Sequence, residues 1–189
     1  MINEGRPLMT ISPEAPPPSP WVQRFAGLLP AGGEVLDLAC GSGRHARLLA
    51  GYGYRVEAVD RNAPALAALQ DLERVAVREA DLEDGSWPYR GRLFSGIVVT
   101  NYLFRPRLDD LLACLAEPGV LIYETFMVGN ERYGKPSNPE FLLRSQEMLG
   151  WVRQRGWRVV AFEEGQSMLP KPAMVQRLCA VRGAMIASL

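Results

Sequence analysis

The segment that most constrains the fold is "EVLDLACGSGRHARLLA", residues 34–50. It begins as an apolar run, passes through Gly41 and Gly43, and ends in apolar residues at helical spacing. A strand that enters a helix through glycines leaves free backbone N–H groups and the positive end of the helix dipole at the turn. Because glycine has no Cβ, the backbone there can approach a ligand closely. The segment therefore predicts a nucleotide-like ligand at the carboxyl end of a sheet.

Strand-like runs alternate with helix-like segments along the rest of the chain. We predict strands at 34–40, 54–60, 74–80, 94–101, 119–126, 157–164 and 173–183. Helices between successive strands are typical of a parallel sheet with right-handed crossovers and helices on both faces. The last two strands are separated only by a short loop, which favours an antiparallel pair. The pattern predicts an α/β fold with a mostly parallel sheet.

The beginning of the chain has a different composition. Residues 12–20 read "SPEAPPPSP", and such a density of proline favours extended, unpaired backbone that cannot build a core. We therefore predict a disordered proline-rich tail over residues 1–19 and one folded domain over residues 20–189.

Composition excludes several classes of protein. The 21 basic and 21 acidic residues balance, so no global field attracts a long polyanion, and nucleic acid is not the expected partner. Three scattered cysteines and one histidine favour neither a zinc site nor a disulfide framework, and we predict no bound metal. The absence of a leader or a long apolar run predicts a cytoplasmic protein without a membrane anchor.

Three acids follow three successive strands and indicate which ligand the glycine loop holds. "GSGRHA" fits loops for both NAD and S-adenosylmethionine (SAM), but Asp37 would repel the pyrophosphate of NAD and attract the ammonium and sulfonium of SAM. Asp60 ends the second strand, where a carboxylate accepts both ribose hydroxyls. Asp81, with Leu82, is positioned to meet the adenine. Each acid alone also fits a cap or a turn; the ordered set favours SAM.

The segments "VLDLACGSGRHARLLA", "VEAVD" and "READLED" resemble the class I SAM-dependent methyltransferase superfamily, in particular small single-domain bacterial members grouped with tellurite-resistance methyltransferases. The resemblance implies a Rossmann-like seven-stranded sheet of order 3-2-1-4-5-7-6 with strand 7 antiparallel. It implies SAM as cofactor and S-adenosylhomocysteine (SAH) as product. Ala39 stands where the family more often has glycine. The predicted cofactor-binding residues are Asp37, Ala39, Gly41, Gly43, His45, Asp60, Arg61, Asp81, Leu82 and Asn101.

The acceptor is expected beside the segments that follow the fourth and fifth strands. The long polar segment after residue 126 has the character of a binding loop. We predict that the acceptor contacts Tyr102, Arg105, Phe126, Asn130 and Tyr133. No catalytic residue is assigned, and Glu124 and His45 are the candidates for a general base. Tyr102 and Phe126 equally fit core positions at the rim of the sheet, and His45 equally fits a helix start.

The leading hypothesis is therefore a SAM-dependent methyltransferase acting on a small molecule. The alternatives are an NAD-dependent oxidoreductase, which Asp37 disfavours, and a SAM-binding module without catalytic activity. An RNA or protein acceptor is a further alternative, which the neutral net charge disfavours.

Overall fold

The computed structural model describes residues 16–184, so most of the predicted proline-rich tail lies outside the described residues. Five α-helices are present in this range: α1 Pro20–Phe25, α2 Arg44–Gly51, α3 Ala63–Ala67, α4 Leu108–Ala113 and α5 Glu147–Arg153. Short 3₁₀ turns lie at Ala26–Leu28, Arg105–Arg107, Asn130–Arg132 and Pro139–Phe141. The strands are β1 Glu34–Leu38, β2 Arg55–Asp60, β3 Val75–Glu79, β4 Phe94–Thr100, β5 Leu115–Phe126, β6 Arg158–Ser167 and β7 Ala173–Arg182.

The strands form one seven-stranded sheet in the order β3-β2-β1-β4-β5-β7-β6. The first five strands pair in parallel, and β7 pairs antiparallel with both β5 and β6. This confirms the predicted order and the antiparallel last strand. The chain order reverses between β1 and β4, and ligands bind beyond the carboxyl ends of the strands at such a switch point.

The sheet is covered on both faces, as predicted. Helices α1, α2 and α3 pack on one face through side chains such as Phe25, Leu49 and Leu66. Helices α4 and α5 pack on the other face through Leu112 and Trp151. Because both faces are buried, β1 and β4 are almost continuously buried, which explains why they read as apolar runs rather than alternating patterns.

The first helix begins with a side-chain cap. The hydroxyl of Ser19 accepts a hydrogen bond of 3.1 Å from the backbone N–H of Trp21, and proline occupies the first helical position. Ser19 is only 5% exposed. The sequence placed Ser19 in the disordered tail, but its capping and burial make it part of the folded domain in the structure.

Candidate functional site

The turn from β1 to α2 contains three residues with left-handed backbone. The φ angles are 53° at Ala39, 54° at Gly41 and 74° at Gly43. A Cβ at Gly43 would meet the Leu69 side chain at 2.4 Å, so this glycine is required for packing against the residues after α3. A Cβ at Gly41 would meet no protein atom within 4 Å. The open space at Gly41 fits the close ligand approach that the sequence predicts there.

Asp60 connects this turn to the end of β2. One carboxylate oxygen accepts a hydrogen bond of 2.7 Å from the backbone N–H of Gly41, and the other accepts one of 2.9 Å from Asn62. A carboxylate has about four acceptor sites, so Asp60 retains lone pairs for two ribose hydroxyls. Asn62 in turn caps α3 by accepting from the N–H of Ala65 at 3.1 Å. Asp60 therefore has a fixed orientation before a ligand binds.

Asp37 is a buried acid with an unsatisfied oxygen. Its side chain is 1% exposed, and Oδ2 has no hydrogen-bond partner among the described residues. Burial raises the pKa of this carboxyl to about 7, against the lowering effects of the Ala46 backbone N–H and the Arg44 guanidinium. A buried acceptor without a donor is costly, so this site favours a ligand that supplies a donor or a positive charge.

A cavity of about 230 Å³ opens at the carboxyl ends of β1, β2, β3 and β4. It is lined by Ala39, Asp60, Arg61, Ala80, Asp81, Leu82, Glu83, Asn101 and Tyr102. Six of the predicted cofactor-binding residues are therefore brought together here. Asn101, like Ala39, has left-handed backbone, with φ of 56°. Such strained backbone persists only where the surrounding fold holds it, and it is concentrated at functional sites.

Two lining residues, Ala80 and Glu83, were missed by the sequence reasoning, although both adjoin the predicted pair Asp81 and Leu82. Tyr102 lies in this cavity with the predicted cofactor residues, whereas the sequence placed it on the acceptor side. A larger cavity of about 680 Å³, lined by Arg155, Trp157 and Arg182 among others, contains none of the predicted site residues.

His45 is engaged at both ring nitrogens. Its Nε2 accepts a hydrogen bond of 3.0 Å from the backbone N–H of Ser19, and its Nδ1 lies 3.4 Å from the hydroxyl of Thr100. Burial and then the Arg44 guanidinium lower the pKa of His45 to about 3. The neutral ring therefore carries its proton on Nδ1 and joins the N-terminal segment, α2 and β4. In this arrangement His45 is a structural link, and not the base or ligand contact that the sequence allowed.

Glu124 is also engaged. Its carboxylate forms an ion pair with Arg177 from β7, and the two residues are partners in the sheet register. Arg177 also lies 3.1 Å from the Ser167 hydroxyl and 3.5 Å from the Glu163 carboxylate. The sequence could not reveal Arg177, because its role depends on the register between β5 and β7. A carboxylate that is ion-paired with an arginine and only 8% exposed is poorly placed to take a proton from an acceptor. The structure therefore does not support Glu124 as a general base.

Arg105 is a tether rather than an acceptor contact. Its guanidinium pairs with both carboxylate oxygens of Glu147, at 2.8 and 2.9 Å. It also donates to the backbone carbonyls of Glu140 and Leu142, at 2.6 and 2.8 Å. Arg105 therefore fixes the end of the segment at residues 127–146, which connects β5 to α5. We define this segment as the β5–α5 loop.

The other predicted acceptor residues divide into two groups. Asn130 is 2% exposed, its amide donating to the carbonyl of Pro136 at 3.0 Å and accepting from the N–H of Met174 at 3.2 Å. It stabilises the β5–α5 loop and is not available to an acceptor. Tyr133 is 41% exposed and Phe126 is half-buried, and neither lines the cavity.

Among residues 16–184, no group of three or more His, Cys, Asp or Glu side chains is placed to hold a metal ion. In the same part of the chain, no helix is long and apolar enough to cross a membrane.

Comparison with known proteins agrees with this geometry. Residues 35–118 match a family described as a methyltransferase domain, and the match runs from the second residue of β1 past α4 and includes every residue that lines the cavity. This part of the chain is therefore similar to methyltransferase domains. A similar curated protein is the tRNA U34 carboxymethyltransferase of Methylococcus capsulatus, 28% identical over 150 residues. That match covers 68% of this chain and only 45% of the relative.

Solved structures share the fold of this chain. TehB from Haemophilus influenzae aligns with a TM-score of 0.67 at 18% identity, covering 86% of this chain and 61% of that one. A SAM-dependent methyltransferase from Methanosarcina mazei aligns with a TM-score of 0.65 at 16% identity, covering 89% of this chain and 100% of that one. At such identities the likeness extends to the fold and not to the acceptor.

Proposed function

We propose that this chain is a SAM-dependent methyltransferase that transfers a methyl group to a small-molecule acceptor and releases SAH. The observation that carries the proposal is the placement of Asp37, Asp60 and Asp81 near the carboxyl ends of three adjacent strands, with Asp60 and Asp81 lining the cavity. Three acids around a glycine turn suit a cationic nucleoside and oppose a pyrophosphate. The name of the Methanosarcina relative supports the same donor.

Different residues around the turn bind different parts of the donor. Asp60, held by Gly41 and Asn62, offers its remaining lone pairs to the ribose hydroxyls. The unsatisfied oxygen of Asp37 offers a negative partner to the ammonium of the methionine moiety. The free N–H groups at the start of α2 suit its carboxylate. Asp81 and Leu82 supply an acceptor and an apolar surface for the adenine.

When bound, SAM supplies an activated methyl group on a sulfonium, and transfer is an in-line displacement. The residues of the chain therefore need mainly to orient the acceptor and exclude water. The two candidate bases are engaged, His45 with Ser19 and Glu124 with Arg177. An acceptor that is already nucleophilic near neutral pH fits this arrangement better than one that needs deprotonation.

Titration calorimetry with SAM, SAH and NAD tests the donor. The proposal expects SAM and SAH to bind and NAD not to bind. Binding of NAD without binding of SAM would identify the oxidoreductase alternative and overturn the proposal. A SAM-consumption screen over thiols, metalloid oxyanions and small amines then tests the acceptor. Donor binding without turnover of any acceptor would favour the non-catalytic module.

RNA is a second candidate acceptor, because the Methylococcus relative is named for a tRNA nucleotide. The balanced charge of the chain opposes it. The same assay with bulk tRNA distinguishes the two: methylation of tRNA, with none of the small molecules consumed, would replace the small-molecule proposal.

We also propose a cytoplasmic location, which rests on Cys40, Cys114 and Cys179 being free and buried. Fractionation of cells that express the chain tests it.

A further inference from the structure

Tyr102 carries a buried hydroxyl that has no role in the proposed function. The hydroxyl oxygen has no hydrogen-bond partner among residues 16–184. A polar atom left unsatisfied in this way destabilises the folded protein unless something else compensates for it. A phenylalanine would fill the same space without that cost. The presence of tyrosine therefore needs an explanation outside the folding of the domain.

The surroundings of the hydroxyl point to the cavity. Tyr102 lines the cavity together with Asp81 and Glu83, and the charges of these two acids help to raise its pKa, after the larger effect of burial. The Arg61 guanidinium, which also lines the cavity, acts in the opposite direction. The hydroxyl is thus close to three residues of the cavity wall. Its raised pKa keeps the proton in place, so the phenol remains a hydrogen-bond donor.

The backbone of Tyr102 is fixed independently of any ligand. Its carbonyl accepts a hydrogen bond of 2.9 Å from the hydroxyl of Tyr123. Asn101, immediately before it, has left-handed backbone and donates its N–H to the carbonyl of Glu124 at 2.9 Å. The backbone that carries the phenol ring is therefore held against β5 before a ligand enters.

We propose that the Tyr102 hydroxyl selects the base of the donor nucleoside by donating a hydrogen bond to a ring nitrogen of adenine. This inference rests on the proposed function. Adenine presents ring nitrogens that accept hydrogen bonds beside an amino group that donates. Tyr102 supplies the donor for a nitrogen, and the nearby Asp81 carboxylate is the matching acceptor for the amino group. Tyr102 thus belongs to donor recognition, and not to the acceptor wall where the sequence placed it.

The substitution Tyr102→Phe tests this proposal because it separates binding from folding. Loss of one neutral hydrogen bond should weaken SAH binding about three- to tenfold. The melting temperature of the free protein should be unchanged or higher, because an unsatisfied hydroxyl has been removed. A purely structural tyrosine would show the opposite result, a lower melting temperature with unchanged affinity.

Tyr54→Phe is the matched control, since it removes a buried hydroxyl that has partners, the carbonyls of Ala26 and Leu29, and Tyr54 does not line the cavity. This variant should melt at a lower temperature. Deaza analogues of SAH give a second readout. The unmodified protein should lose affinity for one of the 1-deaza, 3-deaza and 7-deaza analogues. The Tyr102→Phe variant should bind that analogue and SAH about equally, whereas Tyr54→Phe should still distinguish them.

The outcomes separate this proposal from the proposed function. If the unmodified protein binds neither SAM nor SAH, the proposed function fails. If it binds SAH and Tyr102→Phe binds SAH equally well, only the assignment of the hydroxyl is overturned. If the unmodified protein and Tyr102→Phe discriminate equally among the deaza analogues, the assignment of the hydroxyl is overturned as well.

Discussion

The backbone N–H of Gly41 donates a hydrogen bond of 2.7 Å to Oδ2 of Asp60, which joins the turn after β1 to the end of β2. The proposed ribose acid therefore also shapes the glycine turn. We expect Asp60→Asn to weaken SAH binding by at least about tenfold, since charge-assisted hydrogen bonds contribute about 1.5–3 kcal/mol each. Asp71→Asn changes the same charge at an exposed position and should bind SAH normally. Titration calorimetry measures both, and equal affinities would refute the ribose assignment.

The open space at Gly41 is tested by a pair of glycines. Gly41 and Gly32 both have left-handed backbone, with φ of 54° and 70°, and a Cβ at either would meet no protein atom within 4 Å. Alanine at each should therefore cost a similar conformational strain of about 1–2 kcal/mol. Only Gly41→Ala should abolish or strongly weaken SAM binding. Gly32 precedes the amino end of β1 and therefore lies at the opposite edge of the sheet from the cavity. If both variants bind SAM alike, the ligand does not approach this turn.

Ala39 is strained, because its φ of 53° brings the Cβ close to the following carbonyl. Ala39→Gly should relieve about 1–2 kcal/mol of strain and lose about 0.4–1 kcal/mol to the greater freedom of the unfolded chain. We expect a net stabilisation of about 0.5–1 kcal/mol in chemical denaturation. Ala58→Gly, at a fully buried strand position, should instead destabilise the protein. A loss of stability at both positions would contradict the strain at Ala39.

The sheet could be predicted because its information is local. Both faces of the sheet are covered, so β1 and β4 are apolar at successive positions, and the turn residues between elements mark their ends. The predicted ends of strands were wrong where pairing with a distant strand determines them. The fifth strand begins at Leu115 and not at 119, because Leu115 pairs with Phe94 across a register shift. That pairing has no signature in the sequence.

The site was predictable to the extent that its residues follow strands. Asp60, Asp81 and Asn101 come together because the carboxyl ends of parallel strands share one edge. The partners of His45 and Glu124 were not predictable. Ser19 is 26 residues from His45 and Arg177 is 53 residues from Glu124, and neither separation carries a pattern. Candidate bases chosen by residue type alone were therefore already engaged in the fold.

The tether at Arg105 should control the mobility of the β5–α5 loop. Arg105→Gln removes the contacts to Glu147 and to the carbonyls of Glu140 and Leu142. The loop should then open more often, and trypsin should cleave faster after the exposed residue Arg132.

Arg107→Gln is the matched control, because Arg107 pairs with Asp110 and the Gly85 carbonyl and, within residues 16–184, makes no hydrogen bond to the loop. Mass spectrometry of timed digests identifies the cleavage sites. Equal cleavage rates in the loop for both variants would show that Arg105 does not hold it.

The buried carboxyl of Asp37 should make both stability and donor binding depend on pH. Its pKa is raised from an ordinary value near 3.8 to about 7, mainly by burial. Between these values the folded protein binds more protons than the unfolded chain, so this group lowers the free energy of unfolding as pH rises. Asp37→Asn cannot titrate. Relative to Asp37→Asn, the unmodified protein should lose about 1–3 kcal/mol between pH 4 and pH 7 in urea denaturation.

The unmodified protein must be compared with Asp37→Asn because His45 changes the free energy of unfolding with pH in the opposite direction. Its pKa is lowered to about 3, so its contribution to stability decreases as pH falls below about 6.5. His45 is present in both proteins, and its effect cancels in the difference. Parallel pH profiles for the two proteins would show that Asp37 does not titrate in this window.

Donor binding should release a proton from Asp37 in the same window. A ligand ammonium near the unsatisfied oxygen stabilises the carboxylate, so the affinity for SAM should rise between pH 6 and pH 8. Calorimetry at pH 6.5 in two buffers of different ionisation enthalpy counts the protons released. The Asp37→Asn variant corrects for protons released by SAM itself, so the unmodified protein should release more. Equal release by both proteins would place the ammonium away from Asp37.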